Sequence, residues 1–440
     1  MTLSKRLMTT SLLLLMCCSI ANASDESDAQ PSRKPTLLQM RASSMPSYTP
    51  MPGGSEECLG RLVWSVDKTI GWPVRYDRGN SSKFSHAFSE NIFSRGDEIR
   101  FGKTRISVNA LEPGVKEDVI GLLPANRMEE LKKNLLWLEA NLQKAETRKN
   151  GDEKERNLYH VAKTRVESAK KTIEQMTNKY RPYDPGIRDS YGYGASERES
   201  SAGGEEYSVY RAYLFSPNYL YTFESRETLG PNMSVESHRK QFSALIASFR
   251  PRRMNEIPHE LGVCIPFGFL PDDGRTVTDI KQSLRWADAP GVLYTIHTGN
   301  VQPRQLKSTV ITAVANSQVG RFESSEEAEV KQHVDQRIGP RQVAIGGLRG
   351  EQGGVALKVS QQGRPPYEAY SVFTGYSGWL GTDVLPFILI DMQTFTLEQA
   401  PELKVNPPPF KQSMQRLEGM LKNMRLRPTT PPMPELRGAG

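Results

Sequence analysis

The sequence has 440 residues, and its length, composition and charge exclude several classes of protein. At roughly 100–200 residues per domain, this length predicts two or three domains with room for a buried core. Hydrophobic residues make up 37 % of the chain, a share too low for a membrane-spanning protein and too high for wholesale disorder. Lys and Arg number 57 and Asp and Glu 50, for a formal net charge of +7. We therefore expect a soluble globular protein, and a charge surplus this small does not suggest a nucleic-acid partner.

The first 23 residues predict a cleavable secretory signal. A basic pair, Lys5 and Arg6, precedes an apolar stretch at residues 12–20 that is too short to span a bilayer. Ala21-Asn22-Ala23 then matches an A-x-A cleavage site. A lipid anchor on one of the two cysteines of this segment is the alternative, although the residues before both of them fit it poorly. No later run approaches the ~20 apolar residues of a transmembrane helix, so we expect a periplasmic protein without stable membrane insertion.

Two cysteines, Cys58 and Cys264, lie outside the signal. In an oxidising compartment they have one possible intramolecular pairing, which predicts a Cys58–Cys264 disulfide. The alternative is a pair of buried free thiols, because an unpaired Cys often serves as a small core residue.

The first half of the chain predicts a sheet interrupted by two long helices. Residues 24–55 are rich in Ser, Pro and Met and predict a flexible leader, after which segments 59–66 and 98–108 have strand character. From residue 124 to residue 180, apolar residues recur at spacings of three and four with one Gly-containing break, which predicts an antiparallel helical hairpin. Its other faces are densely charged, which indicates either a solvated hairpin or an arm that binds a partner.

The rest of the first half predicts a loop, two strands and a helix. The Gly-, Ser- and Tyr-rich segment 183–204 is typical of a mobile loop. Strands are expected at 207–215 and 219–223, and a helix at 234–249.

The second half predicts mostly strands and one closing helix. Strand candidates lie at 276–286, 292–298, 342–346, 354–360, 367–373 and 386–392, and the helix runs over about 410–424. The Gly-rich segments near residue 350 resemble phosphate-binding loops only in composition, and a turn between two strands explains them better. Residues 429–440 are Pro-rich and predict a disordered tail.

The two halves begin and end alike. Each begins with a cysteine-containing strand, and each ends with a helix followed by Arg-x-Arg, as Arg250-Pro251-Arg252 and Arg425-Leu426-Arg427. This pattern predicts an α+β fold of two related modules, each an antiparallel sheet backed by helices, with the helical hairpin inserted in the first.

Local motifs for catalysis are missing. The six histidines have no spacing typical of a zinc site, and Gly375-Tyr376-Ser377-Gly378-Trp379 lacks the last Gly of a hydrolase elbow. If the two cysteines are paired, no thiol is available as a nucleophile. We therefore expect no enzyme activity, no metal and no cofactor, although a catalytic site assembled from distant residues is an open alternative.

Several short motifs resemble one protein family. Residues 262–270, GVCIPFGFL, resemble the start of the C-terminal domain of type VI secretion immunity proteins that neutralise phospholipase effectors. Residues 346–352 resemble the Gly-Leu-x-Gly-Glu turn of that family, residues 421–428 resemble its closing helix with Arg-Pro, and residues 57–61 resemble the start of its N-terminal domain. The likeness spans most of residues 56–428.

The resemblance implies a periplasmic immunity protein that binds and occludes a lipase effector. It assigns residues 56–252 to an N-terminal and 261–428 to a C-terminal immunity domain, in a protein that is monomeric before it binds its cognate effector. Candidate partner-binding residues are Tyr191 and Tyr193 in the predicted loop and Tyr376 and Trp379 in the Gly-rich segment, because a few aromatic anchors often dominate an interface. Local packing of these rings is the alternative reading. A second hypothesis is an envelope structural or adaptor protein that docks through the helical hairpin.

Overall fold

The computed structural model describes residues 54–67, 69–72, 75–77, 98–111, 120, 124–179, 181–186, 190–197, 206–231, 233–299, 330–361, 365–378, 385–394 and 406–427. The predicted signal, nearly all of the predicted leader and the predicted tail lie outside these residues.

Four helices form where the apolar periodicity predicts them. They are α1 (Pro124–Glu146), α2 (Glu153–Lys179), α3 (Val235–Ser248) and α4 (Phe410–Lys422). Asp152 caps α2 by accepting the amide of Glu155 at 2.8 Å, and Ser234 caps α3 by accepting the amide of Ser237 at 3.1 Å. The predicted hairpin is therefore present as α1 and α2, with its turn at the Gly-containing break.

The strands of the first half include two hairpins where single strands were predicted. The strands are β1 (Ser55–Leu59), β2 (Leu62–Val66), β3 (Ile70–Gly71), β4 (Arg75–Asp77), β5 (Glu98–Phe101), β6 (Thr104–Leu111), β7 (Arg181–Tyr183), β8 (Ser190–Glu197), β9 (Tyr207–Phe215), β10 (Tyr219–Thr228) and β11 (Arg250–Pro251). Gly60 and Gly102 both have φ of +57°, which suits glycine, and each turns the chain within a predicted strand.

The described residues of the second half contain nine further strands. They are β12 (Gly262–Ile265), β13 (Gly268–Pro271), β14 (Thr278–Trp286), β15 (Val292–Gly299), β16 (Val330–Ile345), β17 (Leu348–Gln361), β18 (Tyr367–Tyr376), β19 (Phe387–Thr394) and β20 (Arg425–Leu426). Gly346 and Gly347 form the two-residue turn between β16 and β17, both with positive φ. The Gly-rich segment is therefore a turn, as predicted.

One 14-stranded sheet runs through both halves. Its order is β16-β17-β18-β19-β15-β14-β5-β6-β10-β9-β8-β7, with β3 beside β14 and β4 beside β6. The two halves join where β14 pairs with β5 in antiparallel register, for example Ile280 opposite Ile99. The α+β class is confirmed, and the two predicted sheets are continuous with each other.

The segment predicted as a mobile loop contains two strands, so this prediction was wrong for residues 183 and 190–197. Strand β8 pairs with β9 along its whole length, and β7 pairs with β8. A Cβ at Gly192 would lie 3.2 Å from the ring of Tyr183, and that ring packs edge-on against Tyr210 at 5.5 Å between centroids. The glycine therefore permits a close approach between strands. In the sequence, the same glycine is typical of a mobile loop.

Helices α3 and α4 cover the sheet and complete a common core. Phe242 of α3 stacks on Tyr210, with centroids 6.0 Å apart. On the other half, the hydroxyls of Tyr370 and Ser413 of α4 lie 2.6 Å apart, within a core cluster that includes residues of both halves. Among the described residues no helix is long and apolar enough to cross a membrane.

Candidate functional site

The last strand of each half pairs with the first hairpin of the other half. Strand β11, which ends the first half, pairs with β13 of the second, and β20, which ends the second half, pairs with β2 of the first. The two hairpins also touch directly, because Gly60 and Cys264 exchange backbone hydrogen bonds of 2.7 and 2.8 Å. We call the contact of these two small sheets the junction.

A disulfide lies at the centre of the junction. Cys58 of β1 and Cys264 of β12 are bonded, with their Cα atoms 5.7 Å apart and 206 positions apart in sequence. Both residues are fully buried and pack with Val63 and Phe269. The predicted pairing is confirmed, and the open alternative of two free thiols is not what the structure shows.

A buried ion pair adjoins the disulfide. Glu57 and Arg252 lie 2.6 Å apart with both side chains fully buried. Glu57 also accepts the backbone amides of Cys58 at 2.8 Å and Asn255 at 3.1 Å. Arg252 donates to the carbonyl of Cys58 at 3.0 Å and to carbonyls of the second hairpin. These bonds satisfy two charges that would otherwise be very costly to bury.

The arginine of the second closing motif occupies a similar place. Arg427 donates to the carbonyls of Pro258 at 2.8 Å and Gly262 at 3.1 Å, and its own amide donates to the carbonyl of Arg61 at 2.7 Å. Burial lowers the pKa of the Arg427 guanidinium to about 10, which still leaves it charged at neutral pH. Its cation also lies 5.0 Å from the centre of the Phe269 ring. The repeated Arg-x-Arg motif in the sequence thus marks two arginines that connect the halves.

The four predicted partner-binding residues lie in different surroundings or outside the described residues. Tyr376 lies at the end of β18, is 6 % exposed and belongs to the main core, so its ring is not available as an anchor. Tyr191 and Tyr193 lie in β8 in register with Tyr213 and Arg211 of β9. Trp379 lies outside the described residues.

Sequence reasoning missed the exposed apolar side chains of the hairpin. Four of the six large hydrophobic residues that are exposed in the described parts of the chain lie in α1 and α2, namely Leu136, Trp137, Leu158 and Val161. The sequence does contain a sign of them, because these residues are apolar and lie outside the stripe through which each helix packs. An amphipathic helix needs no apolar residues there.

A buried histidine contacts two serines, an arrangement that superficially resembles catalytic chemistry. His238 Nδ1 lies 2.6 Å from Ser208 Oγ, and its Nε2 lies 2.9 Å from Ser225 Oγ. All three residues are at most 3 % exposed, so no substrate reaches them. Burial lowers the pKa of His238 to about 4, which keeps the ring neutral at pH 7. Within the described ranges no group of side chains could hold a metal ion. The histidine is a structural element that links α3 to the sheet.

Comparisons with known proteins bear on the second half most directly. Residues 256–429 match the family model of the Tle cognate immunity protein 4 C-terminal domain. No curated protein matches the sequence.

Two solved structures of immunity proteins show a distant similarity to this chain. The apo structure of the immunity protein TplEi of the type VI secretion system from Pseudomonas aeruginosa has a TM-score of 0.46 and 15 % identity, covering 86 % of this chain and 98 % of that chain. The crystal structure of the Tle4–Tli4 complex has a TM-score of 0.47 and 15 % identity, covering 86 % of this chain and 99 % of that chain. The family match, residues 256–429, includes the β12–β13 hairpin of the junction and Arg427. Residues 256–429 thus match the model of the Tle cognate immunity protein 4 C-terminal domain, which confirms the predicted family resemblance for the second half of the chain.

Proposed function

We propose that this protein is an immunity protein that binds and occludes a type VI secretion phospholipase effector and so protects the producing cell and its kin. The match of residues 256–429 to a family described as cognate to a Tle effector carries this proposal. Inhibition by occlusion requires a complementary surface and no catalytic residues of its own.

The junction supports a mechanism in which both halves act as one body. A specific protein complex buries roughly 800 Å² on each partner, which is more than one small sheet offers. The continuous sheet, the disulfide and the two buried arginines hold the halves together. An effector would therefore meet a surface that is already assembled, which lowers the entropic cost of binding.

We further propose that the protein acts in the periplasm, without enzymatic activity. The buried disulfide suits an oxidising compartment, since cytosolic thiols are normally kept reduced. Of the predicted aromatic anchors, Tyr191, Tyr193 and Trp379 remain candidates, with Tyr191 and Tyr193 on the strand β8 beside the sheet edge.

Co-expression with a candidate phospholipase effector, sought first in the neighbouring genes, tests the function. The effector, exported to the periplasm, should stop growth, and this protein should restore growth and co-purify with the effector in a one-to-one complex. The purified protein alone should not hydrolyse phospholipid. Absence of both rescue and complex would contradict the proposal.

Variants of the candidate anchors test the interface separately. Alanine at Tyr191, Tyr193 or Trp379 should weaken the complex at least about tenfold if that ring is a hot spot. Val277→Ala is the matched control, because Val277 is 51 % exposed and is not among the candidate anchors. Unchanged affinity in all three anchor variants would contradict the assignment of the anchors, while leaving the function intact.

A further inference from the structure

The helical hairpin exposes more apolar surface than any other described part of the chain. Leu136 is 67 % exposed, Trp137 61 %, Leu158 58 % and Val161 50 %. Each helix already packs its own apolar stripe against the other, and Val166 of α2 is buried. The exposed residues therefore do not serve the packing of the hairpin, and a solvent-exposed Trp in particular suggests a contact outside the protein.

Helical geometry divides these residues between the two sides of the hairpin. Glu139 and Lys170 pair at 2.8 Å across the helices and mark one side. At 100° per residue, Leu136 projects toward the side of that ion pair. The same geometry places Trp137 of α1 together with Leu158 and Val161 of α2 on the opposite side. We call this opposite side the Trp137 face.

The Trp137 face carries an excess of positive charge. Lys144, Lys154 and Arg165 lie on it, are exposed and make no ion pair with any residue that the structure describes. Glu130 lies on the same side, and Asp152 and Glu153 lie at the tip. The other side carries acidic as well as basic side chains, and some of them form ion pairs, as Glu139 does with Lys170 and Glu129 with Lys132. On the Trp137 face, Lys144, Lys154 and Arg165 therefore outnumber Glu130.

We propose that the Trp137 face binds the surface of an anionic phospholipid bilayer. Apolar side chains flanked by Lys and Arg are typical of helices that lie in the membrane interface, and Trp prefers the headgroup level. The cations complement the negative charge of phosphatidylglycerol headgroups. A protein partner is less well matched, because three apolar side chains cover far less than the ~800 Å² per partner that a stable complex buries.

Peripheral binding agrees with the rest of the structure. No described helix is long and apolar enough to span a bilayer, and helices that lie in the membrane interface bind reversibly. It is independent of effector recognition. If the proposed function also holds, the contact keeps the inhibitor at the surface where a phospholipase finds its substrate.

The full-length mature protein allows a direct test, because Trp137 is a natural fluorescent probe. Trp64, Trp72 and Trp286 are at most 5 % exposed, so among the described tryptophans only Trp137 can change its environment readily. The probe membranes are vesicles of phosphatidylethanolamine with phosphatidylglycerol, compared with neutral phosphatidylcholine vesicles. We expect the protein to sediment with the anionic vesicles and its emission to shift to shorter wavelength, and both effects to weaken with added salt.

Single substitutions assign the contact to one side of the hairpin. Trp137→Ala and Leu158→Ala should each weaken vesicle binding about tenfold, because each removes a side chain that the interface would bury. Leu136→Ala is the matched control, equally exposed but on the other side, and should bind as the wild type does. Circular dichroism checks that the variants keep their helices.

Three results would overturn the proposal. One is equal binding to anionic and neutral vesicles, and another is wild-type vesicle binding by Trp137→Ala. The third is an absence of binding to either vesicle; weaker effector capture by Trp137→Ala would then make the face a protein contact. Failure of the effector complex in the wild-type protein would instead contradict the proposed function and leave the membrane proposal to be decided by the vesicles.

Discussion

Substitution of Arg252 by Met tests whether the buried charges of the junction hold the two halves together. The guanidinium pairs with Glu57 at 2.6 Å and donates to the Cys58 carbonyl at 3.0 Å. It also reaches the carbonyls of Ile265 and Gly268, both at 3.2 Å. The Met side chain fills a similar volume and provides none of these donors.

The expected loss follows from the burial of both partners. Removal of one member of a buried ion pair costs about 3–5 kcal/mol, since the remaining charge stays desolvated without compensation. Carbonyls left without a donor add to this, so we expect Arg252→Met to lower the free energy of unfolding by at least about 4 kcal/mol. Glu57→Gln combined with Arg252→Met should cost less than the sum of the two single changes, with a coupling energy of about 1.5 kcal/mol or more.

Urea denaturation of the oxidised protein, followed by circular dichroism, measures these differences. Arg250→Met is the matched control from the same Arg-x-Arg motif. Its ion pairs with Glu256 and Glu260 are at least one-third exposed, so its loss should cost about 1 kcal/mol or less. Equal losses for Arg250 and Arg252, or simple additivity of the Glu57 and Arg252 changes, would refute the reasoning.

Three further predictions concern the disulfide, a buried histidine and a turn. Replacing both Cys58 and Cys264 by Ser removes a bridge between positions 206 apart in sequence. The chain-entropy relation predicts that the free energy of unfolding falls by up to about 5 kcal/mol, which urea denaturation would show as a lower midpoint. An unchanged midpoint would contradict this. The folded-state pKa of His238 is about 4, against an ordinary 6.5, so the unfolded chain binds more protons between these values. Stability should therefore fall by up to about 3 kcal/mol as the pH drops from 6.5 to 4. In His238→Gln the loss of stability between pH 6.5 and 4 should disappear. If it persists, groups other than His238 cause it. Gly346→Ala should destabilise strongly, because its Cβ would lie 2.0 Å from the Met424 carbonyl oxygen. Gly347→Ala meets no atom within 4 Å and should cost less, through its positive φ alone; equal thermal midpoints would argue against the contact.

Sequence periodicity predicted those elements whose formation depends on near neighbours. Apolar spacings of two to four residues decide which face an element buries. Such spacings predicted the stripes of α1 and α2, the helix α3 and the strand β9. The Cys58–Cys264 pairing was also predictable, because only two cysteines remain outside the signal. The exposed apolar side chains of the Trp137 face were not predicted, since the periodic pattern identifies only the stripe that packs between the two helices.

Local sequence patterns did not predict the surroundings of three tyrosines, Tyr191, Tyr193 and Tyr376. Alternating Tyr and Gly is compatible with either a loop or a strand, and the pairing of β8 with β9 decided for the strand. Tyr376 is buried because β18 lies inside the sheet, between β17 and β19, and its position there depends on residues far away in the chain.

By itself, the sequence determined the helices, the α+β class, the turn at Gly346 and Gly347 and the disulfide partners, because each depends on local spacing or on the lack of another choice. Only the tertiary structure decided that β14 joins β5 and that β20 returns to β2, more than 350 residues away. Many edges could accept such strands through the same backbone hydrogen bonds. The choice among them depends on the simultaneous burial of Glu57, Arg252 and Arg427 in the junction, which no local pattern contains.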